Sequence, residues 1–234
     1  AEEITNPECI VVWNIDGTGR IQPVFSGRYD GAAGKVTFTA VHFSKFAVAY
    51  HFVTFSDVQN IEWARKQIEV VASRGIIQGT SAEKFGPGEN ITRAQFIDAL
   101  VKTLGLAADY NSNFNDVEKT SLYYDSIGTA KKLGITDGTG GNQFDPDAGI
   151  TRQDMATLVV RAMKAKKIFL AAGSDTELKR FSDRSSIAAY AAENMATLVK
   201  ERILQGGDNM LDPKGNTSRA QASVVLYRVY HRGN

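Results

Sequence analysis

The chain repeats itself three times, and self-similarity at a steady period points to a stacked architecture before any single residue is interpreted. Phe55-Ser56-Asp57-Val58 recurs as Phe114-Asn115-Asp116-Val117 and as Phe181-Ser182-Asp183-Arg184. Downstream, Ile91-Thr92-Arg93-Ala94-Gln95 recurs as Ile150-Thr151-Arg152-Gln153-Asp154 and as Thr217-Ser218-Arg219-Ala220-Gln221. Phe55 to Arg93, Phe114 to Arg152 and Phe181 to Arg219 are each 38 residues apart. The spacing between copies grows from 59 residues (Phe55 to Phe114) to 67 (Phe114 to Phe181). The extra residues fall around Ala171-Ala172-Gly173-Ser174-Asp175, which reads as an exposed loop.

Each copy reads as helix, Gly/Pro loop, helix. Ile68, Val71 and Ile76 correspond to Ile127, Ala130 and Ile135, and to Met195, Leu198 and Ile203. In the first copy this helix is predicted over about 61–74. Gly75 and Gly134 suit the left-handed residue that ends a helix. Glu201-Arg202 stand there in the third copy, so a different cap is expected. The loop follows as Gln78-Gly79-Thr80, Asp137-Gly138-Thr139 and Gln205-Gly206-Gly207, then as Phe85-x-Pro87, Phe144-x-Pro146 and Leu211-x-Pro213. The second helix starts at Thr92, Thr151 or Ser218, with Gln95, Asp154 or Gln221 three residues on, the spacing of a capping box. Its apolar stripe is Phe96, Leu100, Leu104; Met155, Val159, Met163; and Ala222, Leu226, Tyr230. One such repeat is too small to bury a core alone, so the three are expected to pack around a shared axis.

Residues 1–52 differ. Val11–Trp13, Ile21–Phe25, Val36–Val41 and Phe46–Phe52 are strand candidates, and Asp16-Gly17-Thr18-Gly19 and Asp30-Gly31 mark turns. A meander this small is marginal alone. It is expected to be the end of a preceding β-domain, packed against the helical part. The expected division is 1–52 β, then repeats at 53–110, 111–170 and 171–234. The chain opens with Ala and shows no basic-then-apolar leader, so it reads as a piece of something larger.

Composition removes several functions. Lys and Arg number 27 against 26 Asp and Glu, leaving +1, unlike a dedicated nucleic-acid binder. No apolar run is long enough to span a bilayer. The single cysteine, Cys9, permits neither an internal disulfide nor a cysteine cluster, and a lone Cys is usually a small buried hydrophobe. His42, His51 and His231 lack metalloprotease spacing, and no nucleophile elbow or phosphate loop is present. The Asp-rich loop Asp137–Asp147 lacks the alternating ligands and final Glu of a calcium hand. No metal, cofactor or catalytic residue is expected.

The three copies resemble S-layer homology repeats across about residues 53–232. The resemblance rests on the Phe-x-Asp-Val start, Trp63, Gly-Ile-Ile-x-Gly at Gly75–Gly79, Phe-x-Pro, and Ile-Thr-Arg-Ala-Gln. It implies a mainly α fold of pseudo-threefold helix-loop-helix repeats around a central three-helix bundle, with projecting prongs. It also implies anchoring of an extracellular protein to the wall of a Gram-positive-type bacterium. The implied ligand is a secondary cell-wall polysaccharide, often bearing pyruvylated N-acetylmannosamine. The family usually has Glu where Gln95, Asp154 and Gln221 stand here. Its aromatic at Trp63 becomes Leu122 and Tyr190.

The residues make an anionic ligand physically reasonable. A helix N-terminus offers free N–H groups and partial positive charge, so an Arg in its first turn costs about 0.3–1 kcal/mol. Arg93, Arg152 and Arg219 occupy that position in all three copies. A bound carboxylate would use the guanidinium fork and the helix end together. Alternatively each Arg pairs with a protein carboxylate and fixes repeat packing. N1 is expected to be exposed, so Ala substitutions should barely disturb the helices. Asp57, Asp116 and Asp183 either accept sugar hydroxyls or cap a turn. Trp63 and Tyr190 either stack on a sugar or fill the core. Gly79, Gly138 and Gly206 allow close backbone approach or serve only the turn. One or two dominant sites are expected, the Trp63 site among them. The competing functions are a protein-interaction module for lattice assembly and a two-carboxylate glycosidase.

Overall fold

The computed structural model describes residues 3–40 and 44–232 and divides into two units, 1–87 and 88–234. The division separates the two helices of the first repeat. Val41, the expected end of one strand, and His42 lie outside the described residues.

In the first unit, strands β1 (Ile10–Ile15), β2 (Ile21–Pro23) and β5 (Lys45–Tyr50) form an antiparallel sheet in the order β2-β1-β5. Ile10 pairs with Tyr50 and Ile15 with Lys45, while Trp13 pairs with Pro23. Strands β3 (Arg28–Asp30) and β4 (Lys35–Thr37) form a separate hairpin. Both expected turns are present and are held by their aspartates. Asp16 Oδ1 accepts from the Thr18 N–H (2.8 Å), the Thr18 hydroxyl (2.6 Å) and the Arg20 N–H (3.0 Å), and Gly19 takes φ +86°. Asp30 Oδ1 accepts from the Ala32 and Ala33 N–H groups.

Helix α1 (Arg65–Ser73) begins four residues later than expected, because Ser56–Val58 and the following segment form tight turns with i to i−3 bonds. The sheet region and α1 are bolted together. Buried Arg74 donates to the carbonyls of Gly27 (3.0 Å), Glu8 (2.9 Å) and Ile10 (3.2 Å). His51 Nδ1 lies 2.8 Å from the Ser73 carbonyl, and the Val53 N–H donates to Ser73 Oγ. Cys9 is fully buried here, and burial pushes its thiol above its ordinary pKa, as expected of an inert packing residue.

The second unit is helical: α2 (Arg93–Leu104), α3 (Tyr124–Lys132), α4 (Arg152–Ala165), α5 (Asp175–Leu178), α6 (Ala189–Lys200) and α7 (Arg219–Arg232). Helix α2 packs on α3, α4 and α7, and α4 packs on α6. Among the described residues every strand lies between Ile10 and Tyr50; beyond them there are only isolated bridges. Every apolar residue singled out on the two helices of each repeat is buried, from Ile68 to Tyr230. Burial of this kind stabilises by roughly 1.5–3 kcal/mol per large side chain.

The expected caps form. Thr92 and Gln95 complete a capping box, as do Ser218 and Gln221. Asp154 is too short to reach back; it accepts the Thr151 hydroxyl (2.7 Å) instead, while its own N–H donates to that oxygen. Gly75 and Gly134 take φ +70° and +66°. The different cap expected in the third repeat is not found: Arg202 itself takes φ +58°, a conformation that costs a side chain about 1 kcal/mol relative to glycine. The exposed loop expected at 171–175 leads into α5, with a capping box between Ser174 and Glu177.

The three motif segments join through a closed cycle of backbone hydrogen bonds. The Ile91 N–H donates to the Thr217 carbonyl (3.0 Å), Thr217 N–H to Ile150 (2.8 Å), and Ile150 N–H to Ile91 (3.2 Å). All three side chains are fully buried. Ile91 and Ile150 are apolar, whereas the Thr217 hydroxyl meets no partner among the described residues.

Candidate functional site

Arg93, Arg152 and Arg219 are the first residues of α2, α4 and α7 and are only 8%, 6% and 5% exposed. The expectation of an exposed N1 is therefore corrected. The cause is the Phe-x-Pro loop of the next repeat, which lays its carbonyls across the helix start. At α2, the Arg93 N–H donates to Ala148 (2.9 Å), the Ala94 N–H to Pro146 (3.0 Å), and Arg93 Nε to Phe144 (2.9 Å). At α4 the pattern repeats: the Arg152 N–H donates to Gly215 (3.0 Å), the Gln153 N–H to Pro213 (2.9 Å), and Arg152 Nε to Leu211 (2.6 Å). Gln95, Asp154 and Gln221 give their N–H groups to the cap hydroxyls.

Two consequences follow. The N–H groups of residues 93–95 and 152–154 are taken, so the helix end cannot itself grip a carboxylate, contrary to the sequence-based expectation. The Nε partners of Arg93 and Arg152 are backbone carbonyls, not the protein carboxylates considered as the alternative. Converging carbonyl dipoles offset both the guanidinium and the positive helix end. The Nη nitrogens of Arg93, whose guanidinium lies 4.9 Å over the Phe144 ring, meet no hydrogen-bond acceptor among the described residues. Arg152 uses Nη2 on the Gln205 carbonyl (3.2 Å). Burial pushes the Arg152 guanidinium below its ordinary pKa, and the nearby Asp212 and Asp183 carboxylates oppose the shift.

The aspartates hold the loops. Asp57 accepts the N–H groups of Phe85 and Gly86 (both 2.9 Å). Asp116 accepts those of Phe144 (2.8 Å) and Asp145 (2.7 Å), and Asp183 those of Leu211 (3.0 Å) and Asp212 (2.7 Å). For Asp57, burial opposes ionisation, but the two N–H donors outweigh it and hold the carboxyl below its ordinary pKa. Each Asp thus fixes the residues whose carbonyls define the loop.

The glycines are where that loop presses on the first aromatic of its repeat. A Cβ at Gly79 would sit 2.5 Å from the Phe55 ring, at Gly138 2.7 Å from Phe114, and at Gly206 2.6 Å from Phe181. Only Gly138 also needs a positive φ, +77°.

Core packing of the aromatics is excluded: Trp63 is 58% exposed and Tyr190 56%, and Leu122 at the equivalent position is 91% exposed. Tyr190 donates its hydroxyl to Asp154 Oδ1 (2.5 Å) and feels the charge of Arg93. Partial burial and the Asp154 carboxylate push its phenol up to about 12. The second unit therefore brings Arg93, Asp154 and Tyr190 together, and Arg152 with Asp183. A second cation nine residues beyond each motif Arg went unnoticed in the sequence. Arg161 reaches the Ile135 carbonyl and Asp137, and Arg228 the Ile203 carbonyl and Gln205, both at the loop entry of their own repeat. The constant spacing was the available signal; Lys102 stands there in repeat one and pairs with Asp98.

The S-layer homology domain family matches residues 54–97, 113–156 and 180–223. The chain belongs to the S-layer homology domain family. It is 32% identical over 224 residues to an amylopullulanase of Thermoanaerobacterium thermosulfurigenes, covering 95% of this chain and 12% of that protein. It is 33% identical over 184 residues to exoglucanase XynX of Acetivibrio thermocellus, covering 78% and 17% respectively. It is 28% identical over 195 residues to the S-layer protein sap of Bacillus anthracis, covering 83% and 23%. The chain thus spans less than a quarter of each of these relatives.

Proposed function

We propose that this chain anchors a bacterial surface protein to the cell wall by non-covalent binding of an anionic secondary cell-wall polysaccharide, and that it performs no catalysis. The observation that carries the proposal is a buried arginine at the same helix start in every repeat. Two of the three are shown held by Nε on a loop carbonyl. In Arg93 this leaves the Nη edge for a ligand carboxylate, such as that of a pyruvate ketal on N-acetylmannosamine. Desolvation makes such a charge-assisted contact stronger than an exposed one.

On this reading the three repeats stand in pseudo-threefold order around a central bundle of their second helices, an arrangement supported by the Ile91–Ile150–Thr217 hydrogen-bond cycle. Arg93, Arg152 and Arg219 meet the ligand, and exposed Trp63 and Tyr190 stack on sugar faces. Asp57, Asp116, Asp183, Gly79, Gly138 and Gly206 act indirectly by holding the loops. Leu122 offers a poorer stacking surface, so one or two sites dominate, that of Trp63 included. Residues 1–52 are the end of a β-domain of a longer extracellular protein, followed by repeats at 53–110, 111–170 and 171–234. The amylopullulanase or exoglucanase activity for which those relatives are named would then belong to parts of those proteins outside the region matched by this chain.

A pull-down on purified wall sacculi tests the function. Retention on native sacculi that disappears once the secondary polymer is stripped is the expected result. Equal retention on both would assign the chain to protein or peptidoglycan contacts.

A further inference from the structure

We propose that the third repeat carries a second anion site beyond the helix-start arginines: a cationic cleft, adjoining Arg152 through Gln205, that takes a carboxylate- or phosphate-bearing saccharide unit. The cleft encloses about 890 Å³. Lys179, Arg180, Lys200 and Arg202 line it against only Glu177 and Asp208, a local balance of four cations to two anions, or +2. The entire chain carries only +1. Low-dielectric walls concentrate such a field at a concave surface.

Three of the four cationic side chains form no internal hydrogen bond or ion pair among the described residues; the fourth, Lys200, donates to the Ala172 carbonyl (2.8 Å). The side chains of Lys179 and Arg202 form no hydrogen bond or ion pair with any described residue, and that of Arg180 only lays its guanidinium 4.7 Å from the Phe181 ring centre. Glu177, one of the two acidic residues in the lining, already spends Oε2 on the Ser174 N–H (2.7 Å) and hydroxyl (2.9 Å). Those bonds hold its carboxyl below the usual range, so it stays charged but directed at the cap.

Arg202 is the most informative member. It stands where the other two repeats have Gly75 and Gly134, and it adopts the same left-handed backbone. Local chain geometry therefore favours glycine, yet this position puts a guanidinium into the cleft. The left-handed backbone is common to all three repeats, but only here does the position carry a charged side chain, and it lies beside the exposed cations Lys179 and Arg180.

The connector present only in this repeat, which leads to the α5 side of the cleft, is firmly seated on α6 and its C-terminal end. The Ala171 N–H donates to Glu201 Oε1 (2.8 Å), the Gly173 N–H to Thr197 Oγ1 (2.9 Å), and Lys200 Nζ to the Ala172 carbonyl (2.8 Å). Gly173 passes so close that a Cβ would collide with the backbone of Ala196 and Thr197. The α5 turn, with Leu178 buried beneath it, then delivers Lys179 and Arg180.

This proposal does not rest on the anchoring reading, and its test avoids the wall polymer. Amide chemical shifts of the full chain would be followed with two soluble probes, oligogalacturonate (carboxylates only) and oligo(glycerol phosphate) (phosphates only). The expected result is saturable shifts at Lys179, Arg180 and Arg202 with at least one probe, which identifies the preferred anion. Affinity should fall by about tenfold or more in a Lys179→Ala/Arg180→Ala/Arg202→Gly variant. That variant should keep its fold, since glycine suits the backbone at 202 and the other two side chains are exposed. Absence of shifts at these residues with both probes, or undiminished binding by a folded triple variant, would overturn the site. Loss of sacculus retention alone would speak to the anchoring reading and leave the cleft standing.

Discussion

In repeat two, the loop carbonyl that receives an arginine Nε belongs to Phe144, whose ring also lies beneath that guanidinium. In repeat three it belongs to Leu211; the Arg152 Nε bond is shorter, 2.6 Å against 2.9 Å, and a second carbonyl, Gln205, is engaged as well. The helix-ending position is Gly134 in one repeat and Arg202 in the other, with φ values of +66° and +58°. The buried cycle holds Ile150 in one and Thr217 in the other. What is kept is backbone geometry, because carbonyls and N–H groups are available from almost any residue. What diverges is the side chain, and with it the chemistry each repeat can present.

The strongest way to break this comparison is at the glycines under the loops. Gly138→Ala should cost about 3 kcal/mol, since it adds both a collision with Phe114 and strain at positive φ. Gly206→Ala meets Phe181 and the Met210 carbonyl without the φ penalty and should cost about 2 kcal/mol. Urea denaturation would rank them, and a reversed order would mean that the loops are not equivalent.

Exchanging the helix-ending residues sharpens it further. Arg202→Gly should stabilise, and Gly134→Arg destabilise, by about 1 kcal/mol each. Melting temperatures that move in the same direction for both would show that the two positions differ in more than residue type. The smallest effect is expected in the cycle. Thr217→Val removes a buried hydroxyl without a partner at nearly constant volume and should stabilise by about 0.5–1 kcal/mol. Ile150→Val, which only opens space, should destabilise by about 1 kcal/mol. A destabilised Thr217→Val would reveal a bonded hydroxyl.

These contrasts also mark what could be read from the chain before its structure. Helical stripes, cap residues, aspartate turns and the glycines at 75 and 134 were legible because each is a local pattern within a few residues. The burial of Arg93 and Arg152 was not, since their carbonyl partners lie 51 and 59 residues away. Rules of residue type failed at Arg202, where the backbone of the other repeats is imposed on a residue that does not favour it. Strand Arg28–Asp30 is too short to show an alternating pattern. Helix α5 was missed although Ser174 and Glu177 have capping-box spacing, because only four residues follow the cap.

The central claim is that the helix-start arginines both hold the loops and receive an anionic sugar. Titration calorimetry with a defined fragment bearing pyruvylated N-acetylmannosamine tests it most directly, on the wild-type chain and on Arg93→Lys and Arg152→Lys. Lysine keeps the charge but cannot grip the loop carbonyl while presenting a separate N–H edge. The account predicts affinity lowered by about tenfold or more in at least one single variant, and further in the double variant, with circular dichroism unchanged. Unaltered affinity in a folded double variant would contradict it and leave these arginines as structural clamps alone.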